Sequence, residues 1–322
     1  MMVFFTFYIP QQVLAAELDA EIGMVRTEFI QPIPLPSGLD SGKVELGHEL
    51  FHDVRLSSDQ TISCASCHGL DSAGVDGLPR SFGVGGVEGD INSPTVFNSG
   101  LNYSQFWDGR AATLEEQVNG PINNPKEMAS NWPQVISRLK VVPDYVNKFK
   151  AVYADGITAA NVRDAIATFE RSLNTVNAPF DQFLRGDNAA INEEEAKGYD
   201  LFKSYGCVAC HQGRNVGGNM FQKFGVMGDY FSDRGGISRA DLGRFNVSGD
   251  ELDRHVFKVP SLRLTVLTAP YFHDSSAKTL HDAIDVMAKY QLGRHISDED
   301  VKLIIKFLHT LVGNYQGKRL GE

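Results

Sequence analysis

The chain has 322 residues, 42% of them apolar and 22% charged, which supplies real hydrophobic cores, argues against disorder and predicts two domains at roughly 150 residues each. Forty acidic against 30 basic residues give a formal charge of −10, and no dense Lys/Arg stretch is present to hold a phosphate backbone, so nucleic acid is excluded as a partner. No uncharged apolar run reaches the roughly 18 residues of a membrane span, and the mature protein is expected to be soluble, with no membrane span.

In chain order, residues 1–16 (MMVFFTFYIPQQVLAA) carry no charge and end Val13-Leu14-Ala15-Ala16, the small-residue junction of an export signal. The positive segment expected ahead of such a signal is missing, so a misassigned start or an N-terminal tail stays open. A helix is predicted around Gly47-His48-Glu49-Leu50-Phe51, just before a first cysteine pair, and a second around Gly198-Tyr199-Asp200-Leu201-Phe202, just before the other pair. The two halves therefore look like an internal duplication. Each half closes with an amphipathic helix. Thr158 caps one with Val162, Ile166, Phe169 and Leu173 on a single face; Ser297 and Asp300 form a capping box before Val301, Ile304, Ile305, Leu308 and Leu311. Residues 69–100 and 212–250 are rich in turn formers, lack helical period and are expected to be long loops. Asn177-Ala178-Pro179 marks the boundary, giving an N-terminal unit over 17–177 with an N-terminal extension and a C-terminal unit over 178–322. The fold class is mostly α, with two cytochrome c-like units and long irregular loops.

The four cysteines fall as Cys64-Ala65-Ser66-Cys67-His68 and Cys207-Val208-Ala209-Cys210-His211. Two thiols separated by two residues can add across the two vinyl groups of a haem, and the following histidine is then held beneath the iron. Disulfides, a redox CxxC and one shared zinc site are the alternatives. Neither flank has the βαβ context of a thioredoxin site, and zinc leaves both histidines unexplained. The reading is two covalent c-type haems, attached at Cys64 and Cys67 and at Cys207 and Cys210, with His68 and His211 as iron ligands. Haem attachment of this kind implies the periplasm.

The ligand opposite each histidine separates an electron relay from a reactive centre. Met287, near the end of a helix starting about Leu280, is a candidate thioether ligand for the second iron, but Met220 and Met227 also follow His211, and most helical methionines are core residues. Between His68 and His255 the sequence holds one histidine, His211, which belongs to the second motif, so the first haem has no local distal imidazole.

From about Gly47 to Gly313 the chain resembles the bacterial dihaem cytochrome c peroxidases, through LSSDQTISCASCH, INSPTVFNS, QFWDGRAATLEEQVNGPI with Glu127-Met128, APFDQFLRG, GCVACHQG, APYFHD and the Met287 segment ending Gln291-Leu292-Gly293. The resemblance implies a low-potential peroxidatic haem on His68 and a high-potential haem on His211 and Met287. It places Glu127 where the family keeps its distal acid/base, Gln117 at a distal amide and Trp107 at the indole between the haems. It also implies a calcium ion held by the Asn92 side chain and the carbonyls of Thr268 and Pro270, completed by water. The implied activity is reduction of hydrogen peroxide to water by electrons from a small cytochrome c or cupredoxin, in a homodimer. A dihaem electron-transfer cytochrome and a related enzyme that oxidises a partner protein, which has tyrosine in place of Met287, are the alternatives; Tyr290 is near enough to need checking. The chain departs from the family at Val84, in Ser81-Phe82-Gly83-Val84-Gly85-Gly86, where many members carry a distal histidine. His273 is expected beside the second haem, and Asp108 and Arg110 as a structural or propionate pair.

Overall fold

The computed structural model describes residues 26–35 and 37–322. The candidate export signal, residues 1–16, lies outside them. In chain order the helices are α1 (Ser41–Phe51), α2 (Leu114–Gln117), α3 (Asn119–Asn123), α4 (Trp132–Lys140), α5 (Pro143–Val152), α6 (Ala159–Ser172), α7 (Pro179–Leu184), α8 (Glu193–Tyr205), α9 (Tyr230–Arg234), α10 (Phe245–Ser248), α11 (Leu280–Tyr290) and α12 (Asp298–His309). Strands are few. β1 (Phe221–Lys223) pairs antiparallel with β2 (Val256–Lys258), and β3 (Asn314–Tyr315) with β4 (Lys318–Arg319). None of the described helices is long and apolar enough to cross a membrane.

The duplication read from sequence is repeated in the packing. α1 meets α6 at Gly47, where an added Cβ would lie 2.0 Å from the Ala165 carbonyl oxygen and 2.7 Å from the Phe169 Cβ. α8 meets α12 at Gly198 in the same way, 2.0 Å from the Leu303 oxygen and 3.0 Å from the Phe307 Cβ. In both halves a glycine lets the helix before the cysteine motif lie directly on the closing helix, so a side chain is excluded there by the opposing backbone. The faces these helices bury match the periodicity: Val162, Ile166, Phe169 and Leu173 are buried, as are Val301, Ile304, Leu308 and Leu311. Around α1 and α6 the core includes Leu46, Leu50, Val135, Leu139 and Phe149. Around α8 and α12 it includes Phe180, Tyr199, Phe202, Phe307 and Leu311.

Three details depart from the sequence reading. Residues 212–250 are not continuous loop but carry β1, α9 and α10; each is too short to show a period. Residues 26–33, expected with the first unit, pack on the second half: Ile30 joins the core around Phe180, Arg26 N bonds to Leu184 O at 2.9 Å, and Ile30 bridges to Gly213. The buried pair Arg263 and Asp181 fixes this segment, since Arg263 Nη2 donates to Gln31 O at 3.1 Å and to Asp181 Oδ1 at 2.8 Å. At α12 only half of the capping box forms. Ser297 Oγ accepts from Asp300 N at 3.2 Å, while the Asp300 carboxylate accepts from Tyr205 Oη at 2.6 Å instead of reaching back.

Candidate functional site

Both CxxCH motifs fold as one tight turn. Cys67 N and His68 N donate to Cys64 O at 3.2 and 3.0 Å, and Cys210 N and His211 N donate to Cys207 O at 3.2 and 2.9 Å. The turn gathers two thiols and an imidazole within five residues, the spacing that attachment and ligation require. His68 Nδ1 lies 3.2 Å from Gly74 O, which fixes the ring and leaves Nε2 as the nitrogen for a metal. Burial lowers the pKa of both imidazoles, that of His211 to about 4, so both are neutral at pH 7, as metal ligation demands. His211 Nδ1 is buried near the carbonyls of Val216 and Pro260 without a well-formed hydrogen bond to either.

Cys207, Cys210, His211 and Met287 line one cavity of about 270 Å³. Its other walls are largely apolar, from Phe202, Leu280, Ile284, Ile296, Ile304 and Leu308. Two thiols, a neutral imidazole, a thioether and apolar walls fit a covalent haem with His and Met ligands. Met287 is placed here by α11, which Thr279 starts with a capping box to Asp282. Met220 and Met227, the competing methionines, are not part of this lining, and Met227 is exposed. Tyr290 is turned elsewhere. Its hydroxyl donates to Asp233 Oδ2 at 2.9 Å and accepts from Lys289 Nζ at 2.8 Å, and its ring packs edge-on to Tyr230 at 5.2 Å.

Near the first motif, Glu127 follows α3 on a turn built by Asn124. Asn124 O accepts from Glu127 N at 3.0 Å and Ala129 N at 2.9 Å, and Asn124 Nδ2 donates to Glu127 Oε1 at 2.6 Å. Burial, the largest influence, pushes the Glu127 carboxyl above its ordinary value, against the Asn124 hydrogen bond and the charge of Arg110. Glu127 is close enough to add to the effects that raise the Cys64 and Cys67 thiols, of which burial is the largest. The segment holding Val84 folds as a hairpin, with Phe82 bridging Glu88 and Gly83 N bonding to Val87 O at 2.9 Å. This hairpin is fastened to the Glu127 segment: Val84 N donates to Glu127 O at 2.8 Å, and Lys126 Nζ pairs with Asp90 at 2.5 Å. Gln117 ends α2, and its side chain makes no hydrogen bond among the described residues.

Trp107 Nε1 donates to Asn92 O at 2.9 Å, and its ring packs on the aromatic cluster of Phe224, Tyr230, Phe231, Phe257 and Tyr290, which Met287 also touches. Asn92 N donates to His273 O at 2.9 Å. Asn92, Thr268 and Pro270 all line the cavity that Trp107 and Met287 share. His273 is buried there as well, stacked on Phe257 at 4.4 Å, with Nε2 at 2.7 Å from Asp241 Oδ1. Burial opposes charge on Asp241, yet hydrogen bonds from His273, Arg234 and Ser238 hold its carboxyl far below the usual range. Asp241, His273 and Asp274 could gather a cation, but Arg234 already pairs with both carboxylates. Arg110 is likewise occupied, bonded to Asp108 at 2.9 Å and lying 3.4 Å over the Phe106 ring.

Residues 41–189 match the family model described as di-haem cytochrome c peroxidase. The chain is 49% identical to cytochrome c peroxidase of Escherichia coli (strain K12) over 90% of its own length, and it spans 62% of that protein. It is 45% identical to cytochrome c551 peroxidase of Nitrosomonas europaea over 90% of its own length and 86% of the other. The chain belongs to the di-haem cytochrome c peroxidase family. Among solved structures it is similar to a MauG-like protein associated with microbial copper homeostasis, with a TM-score of 0.77 and 27% identity over 89% of this chain and 94% of that one.

Membership in the di-haem cytochrome c peroxidase family implies two haem cofactors, which the two CxxCH turns match one to one. Sequence reasoning passed over Asn124, Lys258 and Asp241. Lys258 had a signal, as the single charge in the otherwise apolar run Val256-Phe257-Lys258-Val259. Asn124 and Asp241 had none, because each acts through a partner that only folding supplies.

Proposed function

We propose that the chain is a periplasmic dihaem peroxidase that reduces hydrogen peroxide to two waters, with two protons and with two electrons from a small cytochrome c or cupredoxin. One observation carries this reading: Glu127 lies close enough to the first CxxCH turn to act on its two thiols, and Asn124 Nδ2 holds its carboxylate at 2.6 Å. The units are an N-terminal one around His68 and a C-terminal one around His211 and Met287. When bound, the haems held at these turns would supply the iron and pass on the two electrons that the donor provides. The chain's own work is to move a proton. Cleaving HO–OH requires a proton to leave one oxygen and reach the departing one, and a positioned carboxyl does this for roughly 10²–10⁴-fold. Desolvation of Glu127 brings its pKa nearer to working pH, where both accepting and returning a proton are efficient. Gln117 holds a peroxide oxygen by hydrogen bonding without consuming it. Trp107, in contact with the cluster that Met287 touches, bridges the two halves for electron passage.

Calcium is held by the Asn92 amide oxygen and the carbonyls of Thr268 and Pro270 with water. The Asn92 amide nitrogen already donates to Leu78 O at 3.1 Å, which leaves its oxygen free for a cation. The protein works as a homodimer, and residues 1–16 direct it to the periplasm. Oxidation of a partner protein is disfavoured because Met287 lines the cavity while the Tyr290 hydroxyl is occupied by Asp233 and Lys289.

The test is peroxide turnover by the haem-loaded chain with a reduced small cytochrome c. Glu127→Gln is expected to keep both haems and the fold and to slow turnover at least about a hundredfold. Parental turnover by the variant removes Glu127 from the reaction, and no turnover by the fully loaded parent leaves only an electron-transfer cytochrome.

A further inference from the structure

The cavity around His211 and Met287 has an uneven charge balance. Its walls include two basic side chains, Lys258 and Arg263, and, among the described residues, no aspartate or glutamate. Arg263 is already paired: Nε donates to Arg214 O at 2.6 Å, Nη1 and Nη2 to Asp181 at 3.1 and 2.8 Å, and Nη2 also to Gln31 O at 3.1 Å. Lys258 is different. It is only 8% exposed, and among the described residues its ammonium has neither an ion pair nor a hydrogen bond. Its position is rigid, because β2 pairs it with Phe221 and its backbone N donates to Trp107 O at 2.8 Å. Phe257, the preceding residue of the strand, stacks on His273.

A buried ammonium without a counter-ion is costly, so such a group either gives up its proton or faces an anion that arrives with a ligand. Burial alone lowers the Lys258 pKa to about 8, a value at which the group still carries its charge at pH 7 and which an adjoining anion would raise. The anion must come from the occupant of the cavity. A c-type haem attached at Cys207 and Cys210 would bring two propionate carboxylates to a cavity whose described walls hold no aspartate or glutamate.

We propose that Lys258 forms an ion pair with a propionate of the haem attached at Cys207 and Cys210, and that its charge raises the reduction potential of that haem. This rests on haem attachment at the second motif. The ammonium neutralises a carboxylate near the iron. Without it the uncompensated negative charge stabilises ferric over ferrous iron, and the potential falls. The same lysine ties its backbone to Trp107, so the charge sits where the electron path crosses between the halves.

The experiment compares the haem-loaded parent with Lys258→Met and Lys258→Arg, measuring haem content, midpoint potentials by spectroelectrochemical titration and the propionate bending band by resonance Raman. Lys258→Met is expected to shift the ferric/ferrous equilibrium of the Met-ligated haem at least about tenfold toward ferric, 59 mV for one electron, and to move the propionate band. Lys258→Arg is expected to keep the potential within about threefold of the parent in equilibrium constant. Lys258→Gln, neutral but polar, carries the same test if the methionine variant loses haem. A fully loaded Lys258→Met protein with parental potential overturns the proposal, as does a shifted potential with an unmoved propionate band. A parent with no haem at the second motif overturns the attachment reading itself, which the haem content reveals separately.

Discussion

Gly198→Ala tests whether the close crossing of α8 and α12 sustains the second core. Alanine would place its Cβ 2.0 Å from the Leu303 carbonyl oxygen, whereas ordinary contact begins near 3.4 Å, so the helices must part by roughly 1.4 Å. A gap of that size forfeits about half or more of the dispersion between the facing side chains, and overpacking costs typically about 1–3 kcal/mol. The opposing atom is backbone and cannot rotate aside, which puts the cost near about 3 kcal/mol. Alanine's better helix propensity returns about 1 kcal/mol, leaving a net loss of about 2 kcal/mol. For a unit of this size that lowers Tm by roughly 4–8 °C. The assay is differential scanning calorimetry of the haem-loaded protein, read with the Soret band. Gly47→Ala, whose Cβ meets the Ala165 oxygen at the same 2.0 Å, is expected to lower the stability of the first half by a similar amount. Variants that melt at or above the parental temperature would refute the close-crossing argument.

Met287→His should keep both haems but lower the potential of the second by more than about 59 mV, with loss of the Met-to-iron charge-transfer band, since imidazole favours ferric iron more than thioether does. An unchanged band and potential would return Met287 to the core. Asn124→Ala removes a hydrogen bond that favours the Glu127 carboxylate, so the Glu127 pKa should rise further. Proton acceptance needs the ionised form, so kcat/KM is lost as pH falls through this pKa, and the acid limb of its pH profile should move to higher pH. A profile that superimposes on the parent's would separate Asn124 from the acid/base. With valine at position 84, the oxidised parent is expected to show a high-spin ferric signal in electron resonance and to react with peroxide without prior reduction. Val84→His, on a hairpin already bonded to the Glu127 backbone, should convert it to a low-spin state that needs reduction first. An oxidised parent that is entirely low-spin would show that another residue caps the iron.

Chemistry carried by adjacent residues was legible in the sequence. CxxCH needs five consecutive positions, so the gathering of two thiols and an imidazole at each motif was expected from spacing alone, and each motif folds as one tight turn. The closing helices were legible because a 3.6-residue period survives without tertiary context: Thr158 does cap α6, and Val162, Ile166, Phe169 and Leu173 do share its buried face. The repeated glycine was visible as a pattern, but its reason, a helix backbone lying within contact of it, was not.

Whatever depends on two distant segments meeting was decided only by the fold. From spacing, Met287 was one of three methionines after His211; it was the course of α11 that put it into the cavity and left Met227 exposed. Tyr290 was as near in sequence, yet Asp233, on α9, holds its hydroxyl away from that cavity. The segment 26–33 reads as a prefix to the first half, but a buried guanidinium needs several acceptors. Arg263 finds them in Asp181, Arg214 O and Gln31 O, and so draws the segment onto the second half. The charge of Lys258 was plain in the sequence. That it is buried in a cavity wall with no carboxylate among the described residues is a property of every other segment in that wall, and no local pattern could encode it.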